Sequence, residues 1–488
     1  MLLSGRKRLS APVILAGQVL RVLSLLHIPP LLVALTEEGE HWRAFLAAAL
    51  VTQGVGWAAV MLHRGEEFTL SIRQMFLATA LSWIAVIAFA SLPFIWGPVP
   101  LSVTDAVFET VSGVTTTGAT VLLGLDGMPH SLLLWRGLLQ WLGGIGIVVL
   151  AIAILPFLSV GGMRLFRTES SDWSGKSLPR LADMIRYTQL IYVAFTAAAM
   201  LAYRAAGMEW FDASIHAMTT VSTGGFANHD ASFGVFADRP AVLWVCVVFM
   251  IAGALPFLLY MRALRPGDRG VLFRDQQVRG LIRIVVVLSL LLTAYQAAGG
   301  QRDFLDSLTH ATFNVVSIVT TSGFVSEDYQ LWGTFAAIAF FYMSFIGGCS
   351  GSTTGAIKIF RFQIAFATLR NQLLRALHPH GVFHTRFNGE VVSDDIVRSL
   401  IAFSFFYGLT VATLAFCLSW LGLDFTTALS AAASSVGNVG PGLGEIVGPS
   451  GTYATLPDAA KWLTSAGMLL GRLEILTLLI MFTPGFWR

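Results

Sequence analysis

The chain reads as a succession of apolar runs separated by short polar segments. Ten runs are long enough to matter at bilayer scale, near 11–35, 43–62, 74–97, 131–160, 184–206, 239–261, 281–298, 332–348 with its continuation, 397–421 and 461–483. A spanning helix needs about 20 mostly apolar residues, so the pattern predicts one all-α membrane body with ten spans. A second pattern recurs between the spans. Phe108-Glu-Thr-Val-Ser-Gly-Val-Thr-Thr-Thr-Gly118 and Phe313-Asn-Val-Val-Ser-Ile-Val-Thr-Thr-Ser-Gly323 agree at seven of eleven positions without a gap. Ser214-Ile-His-Ala-Met-Thr-Thr-Val-Ser-Thr-Gly224 ends the same way. Ser430-Ala-Ala-Ala-Ser-Ser-Val-Gly-Asn-Val-Gly440 keeps the small polar texture but loses the threonines. The closing glycines are 106, 99 and 117 residues apart, and one span precedes and one follows each copy. The expected organisation is two leading helices (1–70) followed by four repeats, 71–165, 166–270, 271–385 and 386–488.

Each copy shares one grammar. An acidic start (Asp105, Asp212, Asp303, Asp424) precedes about three turns of helix-permissive sequence and then a run of Ser, Thr and Gly. An Asp near a helix start suits capping and the helix dipole. The helical part is too short to cross a bilayer, so it reads as a half-helix that enters from outside, stops near the midplane and returns as a loop. Backbone of that kind is tolerated at such depth only where it lines a water-filled path or is buried in protein. Four such loops can present a ring of peptide carbonyls that replaces the water of an alkali cation, with glycine supplying the required dihedrals. The candidate ligating stretches are Thr116, Thr117 and Gly118; Ser222, Thr223 and Gly224; Thr321, Ser322 and Gly323; and Asn438, Val439 and Gly440. Carboxylates are almost absent from these loops, Glu109 being the exception. Small-residue helix contacts are the alternative reading of one such copy; four copies at matching places favour a pore.

Two further features lie on return spans. Gly347, Gly348, Cys349, Ser350, Gly351, Ser352, Thr353, Thr354 and Gly355 interrupt the span after the third loop. Each Gly costs a helix about 1 kcal/mol against Ala, so the helix should break there. The functional reading is a flexible gate below the pore loops; the alternative is a packing kink. Arg472 falls about halfway along the last run. A buried Arg in a bilayer is expensive and faces a cavity or a partner. Glu474, two residues on, lies on another helix face. Arg472 is placed either to bond carbonyls or hydroxyls of the 347–355 segment or to form a structural ion pair with another helix. His216 and His310 read as ordinary half-helix residues. The glycines of 437–444 are no phosphate loop, since no Lys follows them and no strand precedes.

Composition sharpens this picture. Hydrophobic residues make up 55% of 488 positions and charged residues 12%, with mean hydropathy +0.71, far below the quarter charged of soluble domains. Of 31 Lys and Arg, 23 fall at the termini and in alternate loops, six in the intervening loops, and Arg21 and Arg472 within spans. Basic loops stay cytoplasmic, so both termini are expected inside. The basic runs are topology signals and do not form a nucleic-acid footprint. The basic, apolar N-terminus resembles the start of a signal peptide. Arg21, His27 and Pro29-Pro30 interrupt it and no small-x-small site follows, so it reads as a retained span. Cys246, Cys349 and Cys417 are isolated, without metal-ligand spacing or a disulfide framework. Cys349 has no His or carboxylate near it in sequence, and nothing suggests an enzyme. A secondary symporter would show two inverted repeats. A membrane hydrolase or sensor would need a catalytic set or a large soluble domain.

The residues that carry a resemblance are Ser112-Gly-Val-Thr-Thr-Thr-Gly-Ala-Thr120, Val221-Ser-Thr-Gly-Gly-Phe226, Thr320-Thr-Ser-Gly-Phe324, Asn438-Val-Gly-Pro-Gly-Leu-Gly444, Gly347-Gly-Cys-Ser-Gly-Ser-Thr-Thr-Gly-Ala-Ile-Lys358, and Gly471-Arg-Leu-Glu474 with Thr483-Pro484. In these the chain resembles the Trk/Ktr/HKT superfamily of cation transporters, and within it the bacterial TrkH-type potassium uptake subunits, over nearly its whole length. The resemblance implies two leading helices plus four helix–half-helix–helix units about a pseudo-fourfold axis, potassium-channel-like, assembled as a homodimer in the bacterial inner membrane. It implies potassium as the transported ion, filter glycines at Gly118, Gly224, Gly323 and Gly440, a gating loop at 347–355 and a regulatory Arg472. It also implies a cytosolic ring of nucleotide-binding, TrkA-type subunits, with nucleotide held by the partner and not by this chain. Relatives with Ser at the first filter glycine favour sodium; Gly118 groups this chain with those favouring potassium. The second filter reads Ser-Thr-Gly where the family pattern leads one to expect Ser-Ile-Gly.

Overall fold

The computed structural model describes residues 2–63, 71–153, 178–299 and 302–487. The predicted end of the fourth apolar run (154–160), the basic stretch from Arg164 to Lys176, the boundary at 165/166, Arg64 and Arg488 lie outside the described residues.

The two leading elements are Leu2–Leu26, continued after His27 as Ile28–Ala34, and Trp42–Met61. They cross tightly because Gly17 and Gly56 face each other. A methyl group on Gly56 would lie 2.8 Å from the Gly17 carbonyl, the close backbone approach that small residues permit. Arg21 packs its Cγ near Gly56 and donates from Nη1 to Gln18 Oε1 at 3.2 Å.

Four units follow, each an approach helix, a half-helix and a return helix. The approach helices are Ile72–Ala90, Leu178–Ala205, Gln276–Ala298 and Asp394–Trp420. The half-helices are Val103–Val114, Trp210–Val221, Phe304–Val319 and Phe425–Gly437. The return helices begin at His130, Pro240, Thr334 and Asp458. Among the described residues, seven helices are long and apolar enough to cross a membrane. The other three predicted spans, all return helices, are interrupted.

One interruption was expected and two were not. Thr334–Met343 stops before the glycine-rich segment and resumes as Ile359–Leu377, as the glycines predict. Pro240–Ala254 meets Phe257–Ala263 at 93°. Pro256 cannot donate to a helix and pushes Leu255 into extended backbone. Asp458–Arg472 ends at Leu473, and Glu474 takes φ 60° before Ile475–Leu479. Arg472 therefore ends a helix, whereas the apolar run suggested a mid-span position.

The burial pattern is that of a membrane body. Leu62 and Trp420 are more than 80% exposed, while Glu109, Thr110, Ser112, Thr115 and Thr117 are wholly buried. Large apolar side chains face outward, and the half-helices with their hydroxyls form the centre. Two short strand pairs complete the fold. Ile346–Gly347 pairs in parallel with Ile357–Lys358, pinching the ends of the 347–355 segment together. Arg386–Phe387 pairs antiparallel with Glu390–Val391. The Asn388-Gly389 turn of this hairpin has φ 48° and 87°, the geometry that favours Asn-Gly in two-residue turns.

Candidate functional site

All four half-helices end in the same cap. Thr116, Thr223, Thr321 and Asn438 have φ of 54°, 51°, 54° and 53°. Their N–H groups donate three residues back, to Gly113, Thr220, Ile318 and Ser435. The next N–H in each donates five residues back, to Ser112, Thr219, Ser317 and Ser434. This is a Schellman cap, whose left-handed position is usually glycine. An L-residue there costs roughly 1–2 kcal/mol, and strain repeated at equivalent places marks function more often than accident. Two residues on, Gly118, Gly225, Gly323 and Gly440 have φ of 86°, 84°, 78° and 101°. In the second repeat the backbone counterpart of Gly118 is thus Gly225. Gly224, which the sequence alignment pairs with Gly118, stands at the place of Thr117. Two successive glycines end this copy, and matching on the first of them stops one residue early.

These glycines close a ring. A methyl group on Gly118 would lie 2.4 Å from the Gly224 carbonyl oxygen, on Gly225 2.0 Å from that of Ser322, on Gly323 2.1 Å from that of Val439, and on Gly440 2.5 Å from that of Thr117. Each turn abuts the next repeat's carbonyl in the order one, two, three, four, one. Glycine alone makes this approach without displacing the neighbouring carbonyl. Within the described residues no donor meets the Thr117, Ser322 or Val439 oxygens, while Gly224 O accepts from Gln140 Nε2. Gly118, Gly225, Gly323 and Gly440 line a vestibule on one side of the ring. On the other side lie the side chains of the left-handed residues. Thr116 Oγ1 and Asn438 Oδ1 are buried there without a partner among the described residues.

The ring is braced by residues outside the glycine motifs. Glu109 pairs with Arg136 Nε at 2.8 Å, both buried, and accepts from Thr120 Oγ1 and Val121 N. Arg136 also donates to Ala227 O at 3.0 Å and stacks 4.2 Å from the Phe226 ring centroid. Arg136, held in place by Glu109, therefore ties the first turn to the second. Gln140 adds a second tie, through Gly224 O and Phe226 N. In the third repeat Asn314 takes the place of Glu109 and bonds Ser326, which also meets His310. A lone carboxylate in a half-helix was the available signal for Arg136; nothing singled out Gln140. In the vestibule loops, His229 bridges Asp126 at 2.5 Å and Asp212 at 3.3 Å. Bonding to the Asp212 carboxylate, then to Asp126, outweighs burial and raises His229 to about 9. The same bond holds Asp126 below its ordinary range.

The 347–355 segment lies directly against the far side of the ring. Thr321 Oγ1 accepts from Gly355 N at 2.7 Å, and Thr223 Oγ1 meets Thr353 Oγ1 at 3.0 Å. The bend in the second return helix receives the segment. Gly253 O accepts from Thr353 N and Oγ1, Ala254 O accepts from Cys349 N, and Phe257 N donates to Gly351 O. The break at Pro256 thus frees carbonyls that an unbroken helix would keep. Arg472 Nη1 donates to Thr353 O at 2.8 Å, and its Nε and Nη2 are buried without partners among the described residues. Of the two arrangements open to Arg472, the structure has the bond to the segment. Glu474 pairs instead with Arg361 at 2.9 Å. Lys358 donates to Thr354 O and to its Oγ1. Lys358, Arg472 and Glu474 line a cavity beyond the segment. The order along the axis is vestibule, ring, segment, charged cavity.

Comparison with known proteins agrees with this architecture. The family model TrkH, described as cation transport protein, matches residues 41–487. The chain is 54% identical to the Trk system potassium uptake protein TrkI of Halomonas elongata, covering 96% of this chain and 94% of that protein. It is 37% identical to the Trk system potassium uptake protein TrkH of Escherichia coli, covering 94% and 95%. The crystal structure of the potassium transporter TrkH from Vibrio parahaemolyticus superposes with a TM-score of 0.91 at 35% identity, covering 98% of this chain and 99% of that one.

Proposed function

The chain belongs to the TrkH family of cation transport proteins, and from that premise we propose that it takes up potassium through the ring of four turns. The observation that carries this reading is the cyclic glycine-to-carbonyl contact, which brings four loops distant in sequence to one axis. Peptide oxygens on such an axis replace an ion's lost water without fixed negative charge, and the carbonyl ends of four half-helices favour a cation there. The filter comprises Thr116–Gly118, Thr223–Gly225, Thr321–Gly323 and Asn438–Gly440, with Ser222 immediately before the second.

The segment 347–355 is the gate, and Arg472 holds it closed. Its bond to Thr353 O and its buried positive charge both oppose passage of a cation. The protein works as a homodimer in the bacterial inner membrane with both termini cytoplasmic. A cytosolic TrkA-type ring, which carries the nucleotide, drives the gate. Rubidium uptake into vesicles holding the purified chain tests the reading. Uptake should persist in excess sodium; equal flux of the two ions overturns the selectivity, and no flux with Arg472 replaced overturns the pathway.

A further inference from the structure

Three elements flank the 347–355 segment on the side away from the ring: the start of the helix Gln276–Ala298, the helix Ile359–Leu377 that follows the segment, and the hairpin at 386–391. One residue ties them together. Asn388, at the exposed tip of the hairpin, accepts at Oδ1 from Gln276 N and donates from Nδ2 to Asp275 Oδ2 and from its own N to Gln276 Oε1, each at 2.9 Å. Asp275 uses its other oxygen, Oδ1, to cap the helix at Gln277 N and Val278 N. Gln277 is buried, and its Oε1 accepts from Ser350 N at 2.8 Å, inside the segment. Asn388 is thus joined to Ser350 through three successive residues at one helix start.

We propose that Asn388 is a positioning residue for the 347–355 segment, acting through Asp275, Gln276 and Gln277. On this reading the hairpin is the handle by which a load on the surface reaches the gate; the inference rests on the gate assignment above. The hairpin is built to transmit displacement. Its Phe387 is buried with Phe360, Ile364, Val392 and Leu400, so it is packed on the helix that continues the segment. Gln363 on that helix donates to Gln276 O at 2.7 Å. A shift of the hairpin must therefore move the helix start that holds Ser350, the helix that follows Lys358, or both. A packed, hydrogen-bonded unit of this kind moves as a body between discrete arrangements. The tip itself, Asn388 to Glu390, is exposed.

The test uses the full-length chain in vesicles, with basal rubidium flux and amide exchange of residues 348–352 as readouts. Asn388→Asp turns the donor facing Asp275 into a carboxylate yet leaves an Asp-Gly turn that the hairpin accepts. It should raise basal flux about five-fold, as coupling energies of this kind allow, and speed exchange at Ser350. The double variant N388D/D275N exchanges donor and acceptor and should return both readouts to the parent values. Asn388→Gly keeps the turn without the side-chain bonds and serves if N388D fails to fold. Gln277→Ala should act like N388D. If all of these leave flux and exchange unchanged while Arg472→Ala raises flux, the relay is wrong and the gate stands. If Arg472→Ala is also silent, the gate assignment fails first.

Discussion

At the scale of single residues, a non-glycine side chain in left-handed backbone recurs four times at one position. Thr116, Thr223, Thr321 and Asn438 share this conformation, which sets their side chains below the ring, where Thr223 and Thr321 meet the 347–355 segment. The glycines two residues on have the opposite requirement, no side chain at all. Gly225→Ala should abolish rubidium flux, since its methyl would meet the Ser322 carbonyl at 2.0 Å at a φ that L-residues avoid. Gly224→Ala should cost less, because its φ is not left-handed and its methyl meets the Gln140 side chain and not a backbone carbonyl, so the loss is the Gln140 brace and not the ring contact. Flux of the two variants in parallel checks the register; equal loss would undo it. Gly118→Ser should admit sodium, read as sodium competition for rubidium uptake. The added atoms would displace the neighbouring Gly224 carbonyl, 2.4 Å from the new Cβ.

At the scale of elements, the return helices differ in how they end. The break at Pro256 and the turn at Glu474 both meet the 347–355 segment, one by exposing carbonyls and the other by placing Arg472 against Thr353 O. Arg472→Ala removes a hydrogen bond from a charged group, about 1.5–3 kcal/mol. Basal rubidium flux should therefore rise roughly ten-fold or more. A second element-level prediction concerns pH in the vestibule loops. His229 is raised to about 9, so its charged bonds stabilise fully below its ordinary value near 6.5 and are lost as pH rises through 9. Asp126 is lowered, so its share is lost as pH falls below the ordinary carboxylate range. The thermal-stability gap between the parent and His229→Gln should be widest between about pH 4.5 and 6.5 and close by pH 10. A gap unchanged at pH 10 would refute the charged bridge.

At the scale of the whole molecule, closure of the ring is a cyclic set of contacts between neighbouring repeats. Beyond the glycines, Asp230 accepts from Gly124 N, Ser232 from Val325 N, Gln330 from Gly444 N, and Thr120 O from Tyr453 N. Lys461 pairs with Asp105 at 2.6 Å, joining the fourth repeat to the first. Arg136, paired with Glu109 inside the first repeat and buried with it, reaches the second repeat at Ala227 O. Removing one partner leaves a buried charge uncompensated, at a cost of about 3–5 kcal/mol. Glu109→Ala should therefore lower the thermal midpoint in detergent more than Asp105→Ala, because Asp105 is about a quarter exposed and water reaches the Lys461 site once that carboxylate is gone. Comparable shifts would place the weight elsewhere in the ring.

The number and order of the repeats, the half-helices and the break at 347–355 were legible along the chain. These depend on local composition: run length, glycine content and the recurrence of one short motif. Long-range contacts were needed to see that Gly225 stands where Gly118 does, that Pro256 and Glu474 mark further breaks, and where Arg136, Gln140 and Asn388 find their partners. Register in a left-handed turn is set by which carbonyl the cap reaches. A polar side chain in a membrane body takes its role from whichever distant backbone it satisfies. Neither is written in the residues adjacent along the chain.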